Sequence, residues 1–135
     1  MSRFFHKVFK FIINYINLNI PPSKNLWLVE CFPSNETNGI EFTKFLISKK
    51  RNVYHVFKKT NLNLELPKKY LVKKFSLKYW AILFRSKYIL FTHGIMVNKF
   101  HKSQVVVNLW HCYPFKNMKS KNRLYDINFN YIISY

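Results

Sequence analysis

His111 follows a run of β-branched and aromatic residues, Val105-Val106-Val107-Asn108-Leu109-Trp110. After it come Cys112, Tyr113, Pro114, Phe115 and Lys116. The run reads as a buried strand, and Pro114 stops any regular continuation. A histidine there is suited to proton transfer, since imidazole titrates at about pH 6.5 and exchanges its proton near neutrality. Lys116 adds a cation close by, and a proton carrier beside a cation suits chemistry on phosphate. The same residues also fit a plainer description, a half-buried imidazole bonded to a loop carbonyl and a solvated lysine. In open α/β sheets ligands bind beyond the carboxyl ends of strands. His93 ends a second apolar run, residues 87–92. It is either a substrate-facing imidazole on the same edge or a turn residue before Gly94. His6, His55 and His101 sit in no comparable pattern and are expected to be solvated or structural. No paired acids lie near these histidines, which argues against a His–carboxylate metal site.

Strand ends matter only if the rest of the chain builds a sheet. Residues 26–32 and 52–57 read as strands, with a helix over 38–49 between them that turns Ile40, Phe42, Phe45, Leu46 and Ile47 mostly inward. Residues 58–69 are polar and loop-like, and 70–75 contain a short strand. Ser76 is placed to cap a helix over 77–84. The strongest strands are 87–92 and 105–110, apolar on both faces and therefore expected to be adjacent and parallel. Residues 131–134 begin another. Alternating strands and helices imply a parallel sheet with helices on both faces, an α/β Rossmann-like fold.

Ahead of this domain, residues 3–20 form an amphipathic helix. Phe4, Val8, Phe11, Ile12, Tyr15 and Ile16 fall on one face, and Arg3, Lys7, Lys10, Asn14 and Asn17 on the other. Pro21 and Pro22 end it. Its polar interruptions exclude a membrane span, and it lacks the small-residue cleavage site of a signal peptide. Two placements remain open: in a membrane interface, or packed on a protein core. The chain thus divides into 1–22, an amphipathic helix with a Pro-Pro spacer open to either placement, and 23–135, the α/β domain.

Composition narrows the function classes. With 23 basic against 5 acidic side chains the formal charge is +18. Such a surface attracts phosphates, whether on anionic lipid, polymer or nucleic acid. A small basic nucleic-acid-binding domain is therefore an alternative, although the lysines are scattered rather than clustered in a motif. Aromatic and apolar content, 19% and 49%, belongs to a folded chain. Only Gly39 and Gly94 are glycines, which excludes a P-loop or a dinucleotide fingerprint. Cys31 and Cys112 have no zinc spacing and read as reduced cysteines.

The segment 107–116 resembles the Asn-Leu-Trp-His-Gly-Thr-Pro-Leu-Lys motif of the CDP-glycerol glycerophosphotransferase family, the teichoic-acid primases and polymerases of Gram-positive bacteria. Lys87-Tyr88-Ile89-Leu90-Phe91-Thr92-His93 stands where the family has a strand ending near a Thr, and residues 126–135 resemble its next strand. The likeness covers about residues 25–135 and is strong over 87–135. Cys112 and Tyr113 depart from it, replacing a Gly that lets phosphate approach bare backbone and a Thr. The resemblance implies a two-domain GT-B transferase of which this chain is the N-terminal part. The cytidine nucleotide would be held by a missing or separately encoded C-terminal half. It implies transfer of glycerol phosphate from CDP-glycerol to a polyol-phosphate or lipid-linked acceptor with release of CMP, and no cofactor. His111 would be the catalytic base, with Lys116, His93 and Trp110 binding substrate and Pro114 shaping the wall. Asp126 would orient a histidine or serve a loop. The protein would lie peripherally on the anionic cytoplasmic face of the cell membrane, without a specific nucleic-acid partner.

Overall fold

A strand buried on both faces belongs inside a sheet, and in β1 (Ser23–Glu30) the adjacent Leu28 and Val29 are both fully buried. The structure, a computed structural model, describes residues 3–35, 37–58, 64–93, 95–110 and 131–134. In it β1 is flanked in parallel by β2 (Asn52–Phe57) and β4 (Ser86–Phe91). Outside these lie β3 (Leu71–Lys73) on one side, and β5 (Val105–Trp110) and β6 (Tyr131–Ser134) on the other. The order is β3-β2-β1-β4-β5-β6 with every pairing parallel. The α/β Rossmann-like expectation is met, as is the parallel pairing of β4 with β5, where Ile89 registers with Val106.

Helices cover both faces because parallel crossovers put them there. On one face α2 (Thr37–Ser48) buries Leu46 against Val29, Cys31 and Val53. Trp27 stacks on Tyr88 of the neighbouring strand on this face, ring centroids 4.0 Å apart. Phe45, expected inward, is exposed on the surface of α2, next to Phe42 and beneath the Lys49 ammonium. On the other face α3 (Leu77–Arg85) packs Tyr79, Ile82 and Leu83 against Leu28, Val56, Val72 and Ile89. Ser76 caps α3 as expected, its hydroxyl accepting from the Tyr79 amide at 3.1 Å, which satisfies an otherwise orphaned N–H.

The N-terminal helix α1 (Arg3–Asn19) forms, and it packs on the α3 face through Ile13. Its orientation differs from a simple apolar-inward rule. Asn14 and Asn17 are buried, whereas Phe5, Val8, Phe11, Ile12 and Tyr15 face outward. The reason is the surface it meets, a non-helical β4–β5 connection whose backbone needs partners. Asn14 Oδ1 accepts from the amides of Asn98 and Lys99, both at 3.0 Å. Asn17 donates to the Lys99 carbonyl at 2.9 Å and to Gln104 Oε1 at 3.0 Å. Amide side chains satisfy both donors and acceptors of exposed backbone, and an apolar face cannot.

Candidate functional site at the β1/β4 switch

Crossovers from β1 run one way through α2 to β2, and the later chain runs the other way from β4 to β5. The strand order therefore reverses between β1 and β4, where the carboxyl ends of open sheets carry ligand crevices. A cleft of about 360 Å³ opens there, lined by Glu30, Cys31, Phe32, Ser34, Val56, Lys58, Lys74 and His93. These residues come from the ends of four strands and the loops that follow them.

Its floor is a compensated carboxylate. Glu30, the last residue of β1, is buried and ion-paired through Oε1 with the Lys74 ammonium. Its Oε2 accepts from the Tyr79 hydroxyl at 2.8 Å. Burial first, and then the Glu30 charge, push the Tyr79 phenol far above the usual tyrosine range, so it remains a donor in the folded protein. Lys74 reaches Glu30 from the β3–α3 turn, where Phe75 adopts φ 65°. That left-handed backbone is unusual for an aromatic residue, and it leaves the Phe75 ring 5.3 Å from the Lys74 ammonium.

The rim is aromatic and basic. The Lys58 ammonium lies 4.6 Å from the Phe32 ring centroid, and the His93 ring meets Phe32 edge-on at 5.4 Å. Thr92 sits beneath, its Oγ1 accepting from the Phe32 amide at 2.9 Å and lying 3.3 Å from His93 Nδ1. His93 thus lies in a bend at the cleft, exposed at its edge.

One wall is braced by His55, which sequence reading assigned a solvated or structural role and which is fully buried. Its Nε2 bonds the Ser34 carbonyl at 2.8 Å, and its Nδ1 lies 2.9 Å from Thr43 Oγ1. Burial pushes its pKa down, against a smaller upward pull from the Ser34 carbonyl. The neutral ring then donates from Nε2 to the Ser34 carbonyl, and its Nδ1 faces the Thr43 hydroxyl, which also lies 2.7 Å from the Gly39 carbonyl. Gly39, one turn before Thr43, lies against Cys31, and a Cβ built there would fall 2.2 Å from the Cys31 sulfur. Cys31 is itself buried.

His111, Lys116, Cys112, Pro114 and Asp126 lie outside the described residues, as does the side chain of Trp110. The backbone of Trp110 ends β5, on the same sheet edge as the end of β4. Glu30, Phe32, Lys58, Lys74 and Tyr79 were not singled out in the sequence, because nothing in spacing joins four strand ends. One signal was available: in a chain with 5 acids, Glu30 terminates an apolar strand, a position that requires a partner.

No curated protein and no solved structure matches the chain. A family model does, over residues 16–130, most of the sequence. That match covers well over half of the sequence, and the chain belongs to the CDP-glycerol:poly(glycerophosphate) glycerophosphotransferase family.

Proposed function

We propose that this chain takes part in moving glycerol phosphate from CDP-glycerol to a polyol-phosphate or lipid-linked acceptor, in synthesis of a teichoic-acid-type wall polymer. The observation that carries the reading is the family match over 16–130. The switch-point cleft, at the strand edge where such sheets take ligands, supports it. In the reaction an acceptor hydroxyl attacks the β-phosphorus of CDP-glycerol. The new P–O bond forms as the phosphoanhydride breaks, and CMP leaves. His111 takes the hydroxyl proton, a role worth about 10²–10⁴ in rate. Lys116 stabilises charge on the transferring phosphoryl group, and His93 and Trp110 contact substrate. The cytidine nucleotide is held by a C-terminal half of the GT-B kind.

The same reading places the domain peripherally on the cytoplasmic face of the membrane. Its support is α1, which turns Phe11 (73% exposed) and Tyr15 (62%) outward beside exposed Lys7, on a chain of +18.

CMP release from CDP-glycerol, assayed with a glycerophosphate acceptor and the complementing nucleotide-binding half, tests the proposal. The expected result is transfer that His111→Ala lowers at least about 10²-fold in kcat. An unimpaired His111→Ala variant overturns the site assignment. Absence of CMP from the complemented protein overturns the transferase reading.

A further inference from the structure

Two lysines line the switch-point cleft in different electrostatic circumstances. Lys74 is matched by Glu30, and that carboxylate is also bonded by Tyr79. Among the described residues the only other ion pairs join Lys44 to Glu41 and Glu65, so no carboxylate there neutralises Lys58. Among the described residues the cleft lining therefore carries more positive than negative charge, although it contains a carboxylate. An ammonium has three donors, and among the described residues Lys74 uses one on Glu30. Each lysine also rests on a ring face, Lys58 on Phe32 and Lys74 on Phe75. Side chains held this way lose less rotamer freedom when a ligand binds.

The walls add a size and a polarity. Val56, Cys31 and Phe32 give apolar surface between the charged groups. A volume of about 360 Å³ is at the small end of ligand pockets, which run about 300–1,000 Å³. It suits a short phosphorylated polyol. We infer that the cleft between the ends of β1 and β4 is a phosphate-ester site in which Lys58 and Lys74 bind the phosphate oxygens and Phe32 packs against the polyol carbons. The inference deepens the transferase reading and rests on it for the choice of a polyol ester. The phosphate can belong to the acceptor end or to the donor, and the chemistry of recognition is shared.

Titration of the full chain with sn-glycerol 3-phosphate, CDP-glycerol and uncharged glycerol, followed by calorimetry in the absence of turnover, separates these cases. Saturable binding of at least one ester is expected, with none for glycerol. Whichever ester binds more tightly identifies the phosphate that occupies the cleft. Lys58→Met weakens that binding at least about tenfold with an unchanged melting temperature. Lys102→Met, an exposed lysine preceding β5 on the opposite sheet edge, leaves it unchanged. Glu30→Gln removes the charge that competes for Lys74 and tightens binding severalfold. Equal binding of glycerol, equal losses in Lys58→Met and Lys102→Met, or an unaltered Lys58→Met overturns the site. Weaker binding by a folded Glu30→Gln protein overturns the part given to Lys74. Because binding is read without turnover, the two readings fail separately. Lys58-dependent binding in a complemented protein that forms no CMP removes the transferase reading alone. Transfer unaffected by Lys58→Met removes the site alone.

Discussion

Glu30 holds a negative charge away from water, and a carboxylate so placed depends on its two donors. Removing one donor tests that dependence. Tyr79→Phe deletes only the hydroxyl and is expected to cost about 1.5–3 kcal/mol, the worth of a hydrogen bond to a charged group. Lys74→Met leaves the carboxylate uncompensated and is expected to cost more, about 3–5 kcal/mol; urea denaturation of both variants checks the ranking. His55 gives a pH signature. Its folded pKa is held below the ordinary 6.5 by burial, so below that pH the unfolded chain binds more protons than the folded one. The stability His55 contributes is fully present above pH 6.5 and is lost as pH falls from there toward the folded value. Stability between pH 6.5 and 5 should therefore fall less steeply in His55→Gln than in the parent chain. Neither group was legible as part of a site. The sequence displayed His93 because it ends a strand, whereas Glu30, Lys58 and Lys74 meet only through pairings across β1, β2 and β3.

At the scale of elements, local chemistry was enough to mark most boundaries. The strands at Asn52–Phe57, Val105–Trp110 and Tyr131–Ser134 fall where the apolar runs do, and Ser76 caps α3. The orientation of α1 was not legible, because amphipathic patterning assumes an apolar partner and the partner here is loop backbone. Two substitutions separate the faces. Asn17→Ala, removing bonds to Lys99 and Gln104, is expected to cost about 1–3 kcal/mol. Phe11→Ser, on the outward face, should stay within about 0.5 kcal/mol. Thermal melts of the two proteins decide it, and equal losses would mean that α1 docks in the opposite sense. The contact of α2 with the end of β1 is just as specific. Gly39→Ala drives a methyl into the Cys31 sulfur, and overpacking of that kind costs about 1–3 kcal/mol. Adding Cys31→Ala should return part of the loss, a coupling that a double-mutant cycle measures.

Across the whole molecule, the excess of basic side chains acts at long range. A charge of +18 raises the local concentration of any polyanionic surface, and salt screens the attraction with a Debye length of about 8 Å at physiological ionic strength and about 3 Å at 1 M. Cosedimentation with phosphatidylglycerol vesicles should accordingly fall as NaCl rises to 1 M, and neutral vesicles should retain far less protein at any salt. Sedimentation indifferent to salt and lipid charge would remove the electrostatic part of the membrane proposal. The strand order has a consequence for biosynthesis. β1 leaves the ribosome before the other five strands described, yet it lies at the middle of the sheet with β2 and β4 as its neighbours. One edge stays unpaired until β2 emerges, and the other until β4 does. Through that interval Leu26, Trp27, Leu28 and Val29 are an apolar strand without its cover, the kind of segment that nascent-chain chaperones retain and that aggregates when they are absent. Lys24, at the start of the strand, is the gatekeeping charge that precedes it, so its replacement by an apolar residue should lower soluble yield during synthesis while leaving the finished fold intact.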